Sequence, residues 1–310
     1  MLKYVIRRFL SMILVVLIVA TATFFLMRFL PSGPFSREKA LPPAVIKNLE
    51  ARYHMNDPLW KQYLSYIENL VRGDLGPSFK YKDRTVNSII ADGFPVSATL
   101  GVVAVLFAVA VGIPLGIWGA LRQNGWQDNL VMFVALLGVS VPNFIMAVLL
   151  MFVFALGLHL LPAAGWGTPQ QLILPALTLA GYPIAFIARL VRSSMLEVLR
   201  QEYITTARAK GLSERLVIFR HALRNILIPV VTVLGPLIAA VFTGSFVVEK
   251  IFAIPGLGRY YVTSINDRDY TTILGVTVFY SALLVFMNFL VDLTYAWLDP
   301  RIRYVERKVS

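Results

Sequence analysis

Apolar residues run almost unbroken through 9–30, 96–121, 129–156, 172–190, 226–248 and 271–298, while polar residues gather between these stretches. About 20 such residues in helical form cross the hydrocarbon layer of a bilayer. Each stretch therefore predicts a transmembrane helix, six in all. Ten-residue segments of alternating polarity, the mark of a membrane β-barrel, do not occur in the sequence. Backbone polar groups in lipid must then be satisfied inside helices, and the predicted fold class is an all-α polytopic membrane protein. An even number of crossings puts both termini on one side.

The first stretch has a second reading. Lys3, Arg7 and Arg8 precede an apolar run reaching "ATA" at Ala20 to Ala22, which resembles a secretory cleavage site. The run continues through Phe24, Phe25, Leu26 and Met27, longer than a signal peptide needs, so an uncleaved helix over 1–30 is expected.

Residues 31–93 form the one long polar interval, read as an extracytoplasmic helical region. In "PPAVIKNLEARYHM", Val45, Leu49 and Tyr53 fall on one helical face and Pro43 suits a first turn. "WKQYLSYIENLVRG" predicts a second helix closed by Gly73. This region is either a packed cap or a docking surface. The membrane domain is expected over 94–300, with a cytoplasmic loop at 191–225 and a tail at 301–310.

Charge supplies the orientation. Lys and Arg number 29 against 17 Asp and Glu, in a chain 57% hydrophobic and only 15% charged, with a mean hydropathy of +0.70. Soluble domains carry about a quarter charged residues. The basic residues cluster before the first stretch, at Arg122, from Arg189 to Arg224, and at Arg301, Arg303, Arg307 and Lys308; the interval 157–171 has none. Under the positive-inside rule these clusters, and both termini, are cytoplasmic. Nucleic-acid binding by a basic stretch pinned between membrane spans is not expected.

Familiar membrane-enzyme constellations are missing from the sequence. There is no cysteine and no H-E-x-x-H, and His54, His159 and His221 are scattered. "GVSVP" at Gly138 to Pro142 resembles a nucleophile elbow but lacks the second glycine, and reads as a helix irregularity. Asp292 is the ionisable residue of the last stretch, suited to a structural role near the interface or to a proton relay. No P-loop is present, so any ATP is handled elsewhere.

The basic passage "YITTARAKGLSERLVIFRHALRN", Tyr203 to Asn225, carries local structure. "EYITTARAKG" predicts a helix ending at Gly211, the residue suited to a left-handed position, with Leu212 placed for the accompanying apolar contact. Ser213 is placed to cap a second helix, Glu214 favours its first turn, and Leu216, Phe219, Ala222 and Leu223 make an apolar side at helical spacing. Helix, glycine turn, helix is the expectation.

This passage resembles the cytoplasmic loop of binding-protein-dependent ABC importer permeases, whose signature runs Glu-Ala-Ala, three residues, Gly, nine residues, Ile-x-Leu-Pro. Ala207, Gly211 and Leu223 match that form, with Thr205 and Thr206 at its first two places. "TARAKGL", "RHALRN" and Pro229 resemble the variant of the peptide and nickel branch. "NDPLWKQY", "GDLGPSFKYKDRTVN", "PGLGR", "RDY" and "DPRIRY" are similar to the B-type permease subunit of oligopeptide importers over nearly the whole chain.

The resemblance implies a type I ABC importer transmembrane fold working with a second homologous permease, one or two ABC ATPase subunits and an extracytoplasmic peptide-binding protein. ATP and Mg would be bound by the ATPase subunits, leaving this chain without cofactor or catalytic residue. Thr205, Ala207, Arg208, Lys210, Gly211, Leu212, Arg215 and Phe219 would form the ATPase-coupling loop. Oligopeptides are the implied substrate; dipeptides, nickel chelates and other small solutes belong to relatives of the same branch, and an ATP-independent carrier or channel is the rival class. Asn143, Thr178, Thr243, Ser245 and Asn288 either line a polar path or join helices by hydrogen bonds. Pro175, Pro183, Pro229 and Pro236 are expected to interrupt or loosen their helices.

Overall fold

A computed structural model describes residues 2–29 and 55–298. The helix expected over 42–55 falls almost wholly outside the described residues, as do the tail at 301–310 and the side chain of Thr243. The described residues are predominantly helical and hold no strand beyond one isolated bridge between Pro77 and Thr85.

In chain order the helices are α1 (Leu2–Arg28), α2 (Leu59–Val71), α3 (Val86–Leu121), α4 (Trp126–Ser140), α5 (Asn143–Leu150), α6 (Pro169–Val198), α7 (Glu202–Ala209), α8 (Glu214–Leu216), α9 (Leu223–Ile251), α10 (Leu257–Asp267) and α11 (Tyr270–Leu298). A π-helical turn, Met151–Gly157, prolongs α5, and another, Val217–Ala222, joins α8 to α9 without a break. Among the described residues five helices are long and apolar enough to cross a membrane, and the pair α4 and α5 makes a sixth crossing if taken as one span.

That pair corrects the expectation of a straight span over 129–156. Its two halves are bent by 112° at Val141 and Pro142. Pro142 disfavours the helical region for the residue before it, and Val141 is extended, at φ −88° and ψ 118°. The other prolines do not interrupt their helices. Pro175 and Pro183 lie inside a continuous α6, and Pro229 and Pro236 inside a continuous α9. Neighbouring helices and local adjustments can satisfy the freed carbonyls in a membrane protein. Helices α3 and α6 also outrun their apolar stretches, α3 by ten residues at its start and α6 by eight at its end. Polar residues there lower hydropathy without lowering helicity.

Contacts divide the chain into two compact units. One comprises Val96–Ile254 and Met287–Ser310. Its core is built from Leu100, Leu174, Ile187, Met195, Ile226 and Val248 with many small residues between them. Glycine sets the spacing. A Cβ at Gly116 would fall 2.6 Å from the Ala188 carbonyl oxygen and 2.7 Å from Val191, and one at Gly138 would fall 2.7 Å from the Gly181 carbonyl oxygen. So α3 and α4 both lie against the backbone of α6. Gly116→Ala is expected to cost about 1–3 kcal/mol, because the nearest obstructing atom is backbone and cannot turn aside. A thermal melt of the purified variant measures it. At its other end α6 begins on Pro169, with Gln171 Oε1 accepting the Thr168 N–H at 3.1 Å.

The other unit comprises Met1–Pro95 and Pro255–Phe286. Here α2 forms where expected and ends before Gly73, whose φ is +76°. Phe24 on α1 is buried against Tyr63 and Tyr66 of α2, with ring centroids 5.5 and 5.4 Å away. The segment "GPSFKYKDRT" is fastened to the start of α11 by Asp269, 1% exposed. Its carboxylate accepts the Phe79 N–H at 3.0 Å, the Ser78 hydroxyl, and the Thr272 hydroxyl at 2.8 Å and N–H at 3.3 Å. Lys80 pairs with Asp267, and Arg84 with Asp92 at 2.5 Å.

Candidate functional site

The passage from α6 to α9 is the most sharply built polar feature of the first unit. Helix α7 stops as the sequence predicts. Gly211 is left-handed at φ +76°, its N–H donates to the Arg208 carbonyl at 2.9 Å, and the Leu212 N–H donates to the Ala207 carbonyl at 3.4 Å. These two bonds satisfy carbonyls orphaned at the helix end, and Leu212 packs onto the core beside them. The Arg208 guanidinium spans the turn to Glu214, with Nε–Oε1 at 2.8 Å and Nη2–Oε2 at 3.2 Å. Ser213 occupies the cap position, but its hydroxyl makes no capping bond, contrary to expectation.

The second helix differs more. Leu216, Phe219, Ala222 and Leu223 do not share a buried side: Ala222 is buried, while Leu216 is 38% and Phe219 66% exposed. The cause is the π-helical turn. Its wider winding brings residues five apart, Val217 and Ala222, onto the core face, where a regular helix would bring residues three or four apart. Ile204 and Ala207 anchor α7 to the same core. The hairpin therefore grips the membrane domain by Ile204, Ala207, Leu212, Val217 and Ala222. It presents outward Tyr203, Thr205, Arg208, Lys210, Arg215, Leu216 and Phe219, an aromatic and aliphatic centre with a basic rim. The Tyr203 hydroxyl accepts from Asn225 Nδ2 at 2.6 Å, tying the base of the hairpin.

Sequence reasoning missed an ion pair between α4 and α6. Asp128 in the first turn of α4 is 2% exposed. It receives Arg192 of α6 in a two-pronged bond, Nε–Oδ1 at 2.5 Å and Nη2–Oδ2 at 2.6 Å, and the Asn124 N–H at 3.0 Å. The only available signal was an acid and a base at matching ends of two predicted spans, 64 residues apart.

The path residues whose side chains are described do not form a hydrogen-bonded cluster. Thr178 and Ser245 are fully buried, and each hydroxyl donates inside its own helix, to the Leu174 carbonyl at 2.8 Å and the Phe242 carbonyl at 3.0 Å. Asn143 begins α5 after Pro142, and it and Asn288 are half-buried.

The described residues thus make a helical multi-pass membrane domain with an exposed hairpin that turns at Gly211. The chain belongs to the family of binding-protein-dependent transport system inner membrane components: residues 112–304 match that family, and residues 1–101 match the N-terminal part of the membrane component of such systems. It is accordingly a multi-pass inner-membrane protein. It is 54% identical over 303 residues to the dipeptide transport system permease protein DppB of Bacillus subtilis (strain 168), covering 98% of each chain. It is 47% identical over 306 residues to the oligopeptide transport system permease protein OppB of Escherichia coli (strain K12), covering 98% of this chain and 100% of that one. Among solved structures, the MetNI methionine ABC transporter in an inward-facing conformation matches at a TM-score of 0.54 and 17% identity, over 68% of this chain and 96% of that one. An amino acid ABC transporter solved with histidines matches at 0.51 and 15%, over 67% and 93%. At these identities the structures speak for the fold, which is that of type I ABC importer permeases.

Proposed function

We propose that this chain is the permease subunit of an ATP-driven peptide importer and that its hairpin, Glu202 to Ala222, is where an ATPase subunit engages it. The observation that carries this is the two-faced hairpin: one side held by the core, the other exposing Phe219, Leu216 and Tyr203 at the end of α6. A patch of that kind marks a protein contact. The chain forms half of the path, a second homologous permease the other half, and an extracytoplasmic binding protein delivers the peptide. ATP and Mg are held by the ATPase subunits. Both termini and the hairpin face the cytoplasm, which requires α4 and α5 to serve together as one crossing.

The mechanism needs no catalytic residue here. Nucleotide binding and hydrolysis draw the docked hairpins together and apart, and the permease responds because its two states make different contacts. Helix α6 is about 45 Å long at 1.5 Å per residue and leads into the hairpin through three residues. The close glycine contacts at Gly116 and Gly138 make α3 and α4 follow it.

Reconstituted in liposomes with its second permease, ATPases and binding protein, the chain is expected to support peptide uptake only with ATP, and alone to transport nothing. Uptake by the chain alone without ATP would instead make it a carrier. Similarity to both dipeptide and oligopeptide permeases leaves two substrate readings. Uptake of a pentapeptide supports the oligopeptide reading; uptake of dipeptides alone supports the other.

A further inference from the structure

In the unit containing α1 and α2, a cavity of about 440 Å³ lies beside the C-terminal end of α1. That volume falls in the range of small-molecule sites. Phe24 and Phe79 contribute aromatic surface, and α2 contributes Gln62 and Tyr66 from successive turns of one face. Each carries a buried polar atom with no partner among the described residues: Gln62 Oε1 and the Tyr66 hydroxyl. Leaving a buried polar group unsatisfied costs about 1–3 kcal/mol, and both residues line the cavity. The orientation of the Gln62 amide is set by its other end, where Nε2 donates to the carbonyls of Met55 at 2.9 Å and Asp57 at 2.7 Å. Its free atom is therefore an acceptor that wants an N–H. Burial, with the neighbouring Tyr63 adding to it, pushes the Tyr66 phenol up to about 12. It stays protonated at physiological pH and wants an acceptor.

The charges around the cavity are similarly incomplete. Lys61 and Asp57 pair at 3.2 Å. Arg28, half-buried with its guanidinium 5.3 Å over the Phe24 ring, has no carboxylate partner among the described residues. Asp74 accepts the Gly76 N–H at 2.9 Å and meets no cation among them. One open cation, one open anion, one buried donor and one buried acceptor complement a molecule bearing a carboxylate and an ammonium, and the aromatic surface suits a short side chain.

We propose that this cavity is a holding site for a short peptide with free termini, its carboxylate at Arg28 and the Tyr66 hydroxyl and its ammonium at Asp74 and the Gln62 carbonyl oxygen. The proposal deepens the importer reading and rests on it for why peptide reaches this face. A carboxylate held by Arg28 alone could come from any organic anion; the ammonium side makes the site selective.

The chain has no cysteine, so Ser65→Cys places its single thiol at the cavity edge, where Ser65 is exposed. The assembled transporter, in lipid nanodiscs without binding protein or nucleotide, is labelled with a water-soluble maleimide while tri-alanine is titrated. Tri-alanine is expected to slow labelling, and its C-terminal amide and N-acetyl forms are expected not to. Tyr66→Phe removes only an oxygen that bonds to none of the described residues, so the variant should keep or raise its thermal midpoint while its apparent affinity for tri-alanine falls about tenfold. No protection by tri-alanine, equal protection by the amide or by inorganic phosphate, or unchanged protection in Tyr66→Phe would each overturn the holding site. ATP-driven uptake by the same Ser65→Cys transporter with its binding protein separates the two claims. Uptake without protection removes the site and leaves the importer, whereas failure of wild-type transporter to take up peptide removes the importer.

Discussion

Asp128→Ala is expected to lower the thermal midpoint of the purified transporter by roughly 10 °C and to leave little protein in the membrane. Breaking a buried ion pair by deleting one partner costs about 3–5 kcal/mol, because the other charge stays desolvated, and each kcal/mol moves the midpoint by ~2–4 °C in a domain of this size. Here the stranded charge is Arg192, whose side chain is 22% exposed, and the Asn124 N–H loses its acceptor as well. Arg192→Ala strands the more deeply buried carboxylate and should do as much damage. Arg192→Lys keeps the charge but lacks the fork that meets both carboxylate oxygens, so it is expected to fall between. Exchanging the partners, Asp128→Arg with Arg192→Asp, should rescue only in part, since an arginine cannot accept the Asn124 N–H. Full rescue would show that the backbone bond contributes nothing. Midpoints and membrane yields for these four variants settle the matter.

Gly211→Val is expected to abolish ATP-driven uptake while the chain still inserts and the spans still pack. At Gly211 a side chain would meet open space, with nothing within 4 Å of an added Cβ, so crowding is no obstacle. The obstacle is φ of +76°. A left-handed L-residue costs about 1–2 kcal/mol, and a β-branched one is a true outlier there. The turn would relieve the strain by unwinding, releasing the Gly211 and Leu212 hydrogen bonds and swinging the exposed Phe219 and Leu216 away from their position. Asparagine tolerates this region. Uptake should therefore fall in the order Gly, Asn, Ala, Val, with ATPase subunits co-purifying in the same order. Full uptake with valine would show that the turn is not part of the coupling surface.

How much of this could be read from the residues differs from feature to feature. The end of α7 was legible because Gly211 declares a backbone angle that other residues resist. The bend between α4 and α5 was half legible: Pro142 marked an irregularity, but the same residue type inside α6 and α9 leaves the helix whole. A proline breaks a membrane helix only where the surrounding packing does not satisfy what it frees. The exposed face of α8 and its π-helical extension was misread, because a period of 3.6 was assumed where the winding is wider. Asp128 sat in "NGWQDN" looking like any loop carboxylate, and the orphaned atoms of Gln62 and Tyr66 had no signature at all.

By itself the sequence determined that the chain is a bundle of membrane helices, where most of them run, and where the hairpin turns. Hydropathy and left-handed backbone preference are properties of single residues and short windows, so they act before any tertiary contact forms. The tertiary structure alone decided which carboxylate meets Arg192, which side of the hairpin faces out, that 255–286 joins 1–95 in one unit, and that a charged cavity opens beside Arg28. Those outcomes depend on residues far apart in the chain arriving at one place. A buried charge or hydroxyl is satisfied or stranded only by what arrives with it.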